Sequence, residues 1–202
     1  MSARSTRDHI VEAADGLFYR QGYEHTSFAD IASAVRISRG NFYHHFKSKD
    51  AILDAVIEAR LAATRAMLDE WERTDRDPAA RIRHFIHILI DNRTDIELYG
   101  CPVGTLSTEL AKLNHASHAE ANRIFTLFRC WLGRQFALAG RKADADALAM
   151  HLLARSQGVA TLASAYRDEA FVRDEVRQMC DWLQDRLANA ASPASASQTV
   201  LG

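Results

Sequence analysis

The chain has 202 residues, with 25 Lys+Arg against 26 Asp+Glu and a formal charge of −1. A balance this close to neutral excludes a histone-like polycation and an acidic tail protein, so any nucleic-acid surface must be a local patch. Hydrophobic residues at 48% and charged residues at 25% exclude general disorder.

Helical signals dominate. There are 34 alanines and only 3 prolines, which favours helix. Ser5 followed by Asp8 has the form of a capping box, and Ile10, Ala13, Ala14, Leu17 and Phe18 share one helical face ending at Gly22. Ser27 and Asp30 repeat the cap, with Phe28, Ile31, Ala32 and Val35 as a second stripe. Ser38 caps a third segment, Arg39 to Phe46. Ser48 opens a longer helix, with Ile52, Leu53, Val56, Ala59, Ala63 and Met67 in phase, running towards Arg73. Pro78 starts a fifth, marked by Ile82, Phe85, Ile86 and Leu89. Tyr99-Gly100-Cys101-Pro102 is the clearest interior break, followed by a short helix from Val103 to Leu113. Three further helices are expected over 116–140, 143–166 and 168–190, separated at Gly140 and at Arg167-Asp168.

The expected fold is therefore all-α, with about nine helices, no strand of useful length and no internal repeat. The expected domains are 1–47, 48–191 and a disordered tail, 192–202. Forty-six residues bury too little surface to stand alone. The long fourth helix should complete their core and also join them to the rest as a mechanical link. No apolar run approaches the ~18–20 residues that span a bilayer, and the first residues lack the apolar stretch of a signal peptide. Cys101, Cys130 and Cys180 are odd in number and far apart, which suits reduced thiols in the cytoplasm.

Chemistry concentrates between Val35 and Lys49. Arg36, Arg39, Lys47 and Lys49 stand there with His44 and His45, and no Asp or Glu intervenes. Ser38, Asn41, Tyr43 and Ser48 add hydrogen-bonding groups. A short helix of this kind can enter a major groove, where Arg forks onto guanine and Asn onto adenine while basic and hydroxyl groups hold phosphate. The bland alternative is a solvated basic face on a helical bundle.

The order of residues narrows the choice. Gly22-Tyr23, Thr26, Asp30-Ile31-Ala32, Ser38-Arg39-Gly40, Tyr43-His44-His45-Phe46 and Ser48-Lys49 closely resemble the helix-turn-helix signature of TetR/AcrR-type transcriptional regulators. The resemblance implies a ligand-released repressor that binds a palindromic operator as a homodimer. It gives Thr26 and Ser27 capping and phosphate roles. Ser38, Arg39, Gly40 and Asn41 face the groove, and Tyr43, His45 and Lys49 grip phosphate. His44, Lys47 and Arg36 are further contacts. Ile31, Ile37, Phe42 and Phe46 are core. One departure stands out: the family has Gly in the turn where this chain has Arg36. Glycine tolerates positive φ there, so Arg36 carries a cost of about 1 kcal/mol if the turn keeps its shape.

Beyond this segment the expectations are coarser. Phe85, Leu89, Tyr99, Cys101, Phe125, Phe128 and Trp131 are candidates for an effector pocket that takes a small apolar or aromatic ligand. Gly158, Leu162, Val172, Val176, Met179, Trp182 and Leu183 are candidates for a dimer interface, with ordinary intrachain core as the alternative. Cys101 caps the helix begun by Pro102, and two readings of it stay open: a redox- or electrophile-sensing thiol, or a small buried hydrophobe. The pairs His84/His87 and His115/His118 have helical metal spacing without a completing ligand, so surface or core histidine is the better reading and neither metal nor cofactor is expected. No nucleophile elbow, dinucleotide fingerprint or P-loop occurs, so an enzyme is not expected. A helical protein-interaction module is the remaining alternative.

Overall fold

In a computed structural model of the chain, residues 5–188 are described, Arg39 by its backbone alone. The tail expected to be disordered lies outside them. The described residues form α1 (Thr6–Gln21), α2 (Phe28–Val35), α3 (Arg39–His45), α4 (Lys49–Thr74), α5 (Pro78–Asp91) and α6 (Arg93–Tyr99). They continue with α7 (Pro102–Lys112), α8 (His118–Ala121), α9 (Arg123–Leu138), α10 (Ala145–Tyr166) and α11 (Glu169–Ala188). The nine expected helical stretches are all present, and two of them are interrupted at one residue each. Asn92 separates α5 from α6, leaving the helical region at φ −107° while its side-chain amide donates to the Ile88 carbonyl at 3.0 Å. Asn is prone to such local competition with the backbone. Asn122 separates α8 from α9 and accepts from the Ser107 hydroxyl at 2.5 Å.

The caps lie where the sequence puts them. Ser5 and Asp8 close a capping box on α1, and Ser27 and Asp30 close one on α2. Ser38 and Ser48 accept from the backbone N–H three residues on. Each such cap contributes about 1 kcal/mol. Gly22 ends α1 at φ 88°, and Arg36 ends α2 in the left-handed region at φ 58°. Arg36 thus holds a positive φ at the position where the resemblance expects glycine.

Two hydrophobic cores organise these helices. The first gathers Ile10, Phe18, Ile31, Phe42 and Phe46 from α1–α3 and their flanks with Ile52, Val56 and Leu61 of α4. It is closed by Leu106 and Leu110 of α7, Ala121 of α8 and Ile124 of α9. The second joins Leu68 of α4 to α5, α6, α9, α10 and α11. At a rise of about 1.5 Å per residue, α4 is roughly 39 Å long, and it serves both cores.

The second core corrects one expectation. Val172, Val176, Met179 and Leu183 are at most 3% exposed within a single chain and pack with α5 and α10. They are intrachain core and cannot touch a partner. Trp182 is half-buried, its ring 6.3 Å from that of Phe136 and stacked on His151 at 4.7 Å. Gly158 and Leu162 remain exposed on α10.

Helix α7 and the residues before it are fastened to the N-terminal helices. The Tyr19 hydroxyl donates to the Gly100 carbonyl at 2.7 Å. Arg60, its side chain 11% exposed, donates to Asp15 and to the Pro102 carbonyl, each at 2.6 Å. The Glu109 carboxylate accepts from the backbone N–H of Tyr23 and of Glu24, each at 2.9 Å. On the carbonyl side of the same turn, Lys49 donates to Tyr23 and Glu24 at 3.0 and 3.3 Å. Glu109→Ala removes an ionised acceptor from two amides at once. It is expected to cost about 2 kcal/mol in urea unfolding; an unchanged midpoint would show that water replaces the carboxylate at no cost.

Candidate nucleic-acid interface

Helix α3 has seven residues, and its inward side is set by Phe42, with Phe46 one turn on. At about 100° per residue, Gly40, Asn41, Tyr43 and His44 fall on the other side, and all four are exposed. Around them Ser27, Arg36, Ser38 and Lys47 are exposed too, and His45 is half-buried. Arg36 pairs with no described carboxylate. The structure thus leaves most of the sequence-predicted reading residues exposed on and around α3.

Local packing explains why this face holds its shape. Phe28 stacks on Tyr43 with ring centroids 5.5 Å apart and meets Phe42 edge-on at 5.1 Å. Tyr43, 49% exposed, therefore has a fixed ring and a free hydroxyl. Gly40 has nothing within 4 Å of where a Cβ would lie, so its side of α3 is open for close approach.

Two contacts differ from expectation. Thr26 is 1% exposed, its hydroxyl donating to the Gly22 carbonyl at 2.7 Å and accepting from Gln21 at 3.2 Å. It fastens the α1–α2 turn and does not reach phosphate. The cap of α2 is Ser27 alone. Lys49 is half-buried, its ammonium 4.2 Å from the Tyr23 ring centre and bonded to the turn carbonyls. It holds the fold in this state. Lys47 donates to the Tyr43 carbonyl at 2.7 Å but stays exposed. Ile31, Phe42 and Phe46 are buried as expected, and Ile37 is half-buried against them.

The sequence reading missed a polar group behind the interface. Tyr23, buried, donates to Asp50 at 2.5 Å and meets the His115 ring edge-on at 5.1 Å. The Tyr23 hydroxyl bond holds the Asp50 carboxyl below the usual carboxylate range, ahead of the weaker influence of His115. Burial, then that bond, pushes the Tyr23 hydroxyl up. No spacing rule links residues 23, 50 and 115, so only the folded chain shows them together.

The left-handed Arg36 carries a testable cost. Arg36→Gly is expected to raise stability by up to about 1 kcal/mol. It should also weaken DNA binding and lower the salt slope by about one ion. Thermal melting and a salt titration, run on the same preparations, check both halves.

Of the hollows away from this face, two are lined by expected pocket residues. An interior cavity of 210 Å³ is lined by Phe85, Leu89, Cys101, Phe125 and Phe128 among others. A groove of 690 Å³ between α7 and α10 is lined by Tyr99, Cys101, Glu109, Lys112, Phe125 and Gln157 among others. Five of the seven expected pocket residues thus surround the cavity. Tyr99 lies on the groove instead, its ring 5.4 Å from that of Tyr19. Trp131 is core, its ring 5.6 Å from that of Trp71. Cys101 caps α7 through a 3.5 Å contact from the Gly104 N–H to its sulfur. The paired histidines go separate ways: His84 stacks on Trp71 and bonds Asp75, and His87 bonds the Arg83 carbonyl. His115 accepts from the Ser117 N–H, and His118 contacts the Asn122 amide. No helix among the described residues is long and apolar enough to cross a membrane.

A short exposed helix on a rigid three-helix base, carried by a second helical body with a cavity, defines a helix-turn-helix regulator. Residues 10–56 match the profile of bacterial regulatory proteins of the tetR family. Residues 78–189 match that of the LmrA/YxaF-like transcriptional regulator C-terminal domain. The chain belongs to the tetR family and is a DNA-binding transcriptional regulator, not an enzyme. It is 28% identical over 165 residues to the HTH-type transcriptional repressor DhaR of Mycobacterium sp. (strain GP1), covering 78% of this chain and 82% of that protein. It is 29% identical over 170 residues to the HTH-type transcriptional regulator TtgR of Pseudomonas putida, covering 78% and 79%. A TetR transcriptional regulator from Legionella pneumophila has the same fold, with TM-score 0.80 at 24% identity over 90% of this chain and 99% of that one. These likenesses favour a ligand-responsive regulator over the thiol-sensing and protein-interaction alternatives.

Proposed function

We propose that the protein is a cytoplasmic repressor that binds a palindromic operator as a homodimer and is released by a small, largely apolar or aromatic ligand. The observation that carries this reading is the outward face of α3. Asn41 is the described side chain best suited to a base edge, and Ser38, Arg39 and Gly40 stand beside it. Ser27, Arg36, Tyr43, His44, His45 and Lys47 serve phosphate. A seven-residue reader makes few contacts, and two copies about one helical turn apart multiply affinity and specificity. The name of the DhaR relative supports repression.

The outer side of α10 suits the second copy. Met150, Ala154, Gly158 and Leu162 recur every four residues and are exposed, and Tyr166, 73% exposed, continues the row. Gly158 leaves open space above its backbone. Leu162→Glu is expected to shift the dimer dissociation constant upward by at least about tenfold while leaving monomer unfolding within about 0.5 kcal/mol of wild type. Sedimentation velocity over a dilution series reads the first and urea unfolding of the dilute protein the second.

Selection of binding sequences from random duplexes tests the whole reading. The expected product is an inverted repeat whose affinity falls steeply with salt. Enrichment of nothing, or of single unrepeated sites bound by one chain, would reject it.

A further inference from the structure

The cavity and the groove share a wall. Cys101, Phe125 and Gln157 line both. On the cavity side no charged side chain contributes, so an ion entering it would lose its hydration without a partner. The volume equals about seven waters at roughly 30 Å³ each, enough for one substituted ring and too little for several.

The polar groups of the cavity are mostly committed. Ser156 donates to the Leu153 carbonyl at 2.7 Å, and the Asn92 amide donates to Ile88 at 3.0 Å. The Cys101 sulfur already receives the Gly104 N–H. The Gln157 amide and the Thr64 hydroxyl make no hydrogen bond with a described residue, and of the two only Gln157 stands on the wall shared with the groove. It reaches across from α10 to lie on the backbone of α7, where a Cβ on Gly104 would come within 2.5 Å of its Oε1. Glycine at 104 is what leaves room for that reach. One donor and one acceptor therefore stand at the boundary between an apolar chamber and an open groove.

We propose that the cavity takes an uncharged one-ring compound. Its ring lies among Phe85, Phe125 and Phe128, and a hydroxyl or carbonyl on it bonds the Gln157 amide. The groove between α7 and α10 is the route in, and it accommodates any further substituent. This rests on the ligand-responsive reading above and adds to it a ligand class, an anchoring residue and a path.

Calorimetric titration of the full chain with toluene, benzyl alcohol, benzoate and benzylamine tests it. Benzyl alcohol is expected to bind about fivefold more tightly than toluene, the worth of one neutral hydrogen bond. The two charged probes should bind at least about tenfold more weakly than the alcohol. Gln157→Leu should erase the advantage of the alcohol while toluene still binds. Gly104→Ala, which displaces the Gln157 amide without altering an apolar wall, should do the same. Equal binding of alcohol and toluene to the wild type would overturn the proposal, as would an advantage that survives both substitutions, tight binding of benzoate, or no binding at all. Operator affinity read in the same samples is a separate measurement. Its absence strikes the regulator reading alone, whereas failure of the probe series strikes only the ligand class.

Discussion

Asn41→Ala is expected to weaken operator binding by about 1–3 kcal/mol for each half-site, roughly five- to a hundred-and-sixtyfold, and to relax the base preference at one position of each. The fold should not suffer. Asn41 is exposed, its backbone N–H already receives the Ser38 cap, and alanine favours helix. Electrophoretic titration against the operator and its single-base variants reads both effects. A uniform loss over all duplexes would mean that Asn41 holds phosphate and reads no base. Because each dimer carries two copies, the loss should roughly square when both half-sites are intact.

Leu183→Ala should be the most damaging change to stability. The side chain is fully buried in the second core, and truncation of such a leucine costs about 2–5 kcal/mol depending on how far the site collapses. The cost should be the same at every protein concentration, since the lost contacts lie within one chain. A penalty that grew on dilution would instead place Leu183 between chains. Urea unfolding at two concentrations a hundredfold apart distinguishes the two.

That contrast marks where the sequence was readable and where it was not. Helix ends were legible because each cap is a local event: Ser5, Ser27, Ser38 and Ser48 accept from amides three residues on, and Pro78 fixes φ at the first position of α5. The reading helix was legible because its order of residues is distinctive. Arg36 even announced its own strain. The stripe on α11 was legible as apolar but not as to what it faces, since burial against α5 and burial against a second chain require the same residues. Gly158 and Leu162 of α10 belong to the same set of interface candidates, and those two are exposed. Thr26 and Lys49 match a pattern associated with phosphate, yet their bonds turn inward, to a turn whose partners lie far along the chain. Glu109 was invisible for the same reason: its two amide partners are more than eighty residues away.

The sharing of one apolar cluster by α1–α4 with Leu106, Leu110, Ala121 and Ile124 sets a practical limit on protein engineering. A reading head cut after α3 or α4 would leave a greasy underside exposed and the Tyr23–Glu24 amides without their carboxylate. Chimeras that graft a new head onto this body must therefore carry matched replacements on α7, α8 and α9, or the graft will report on its own seam.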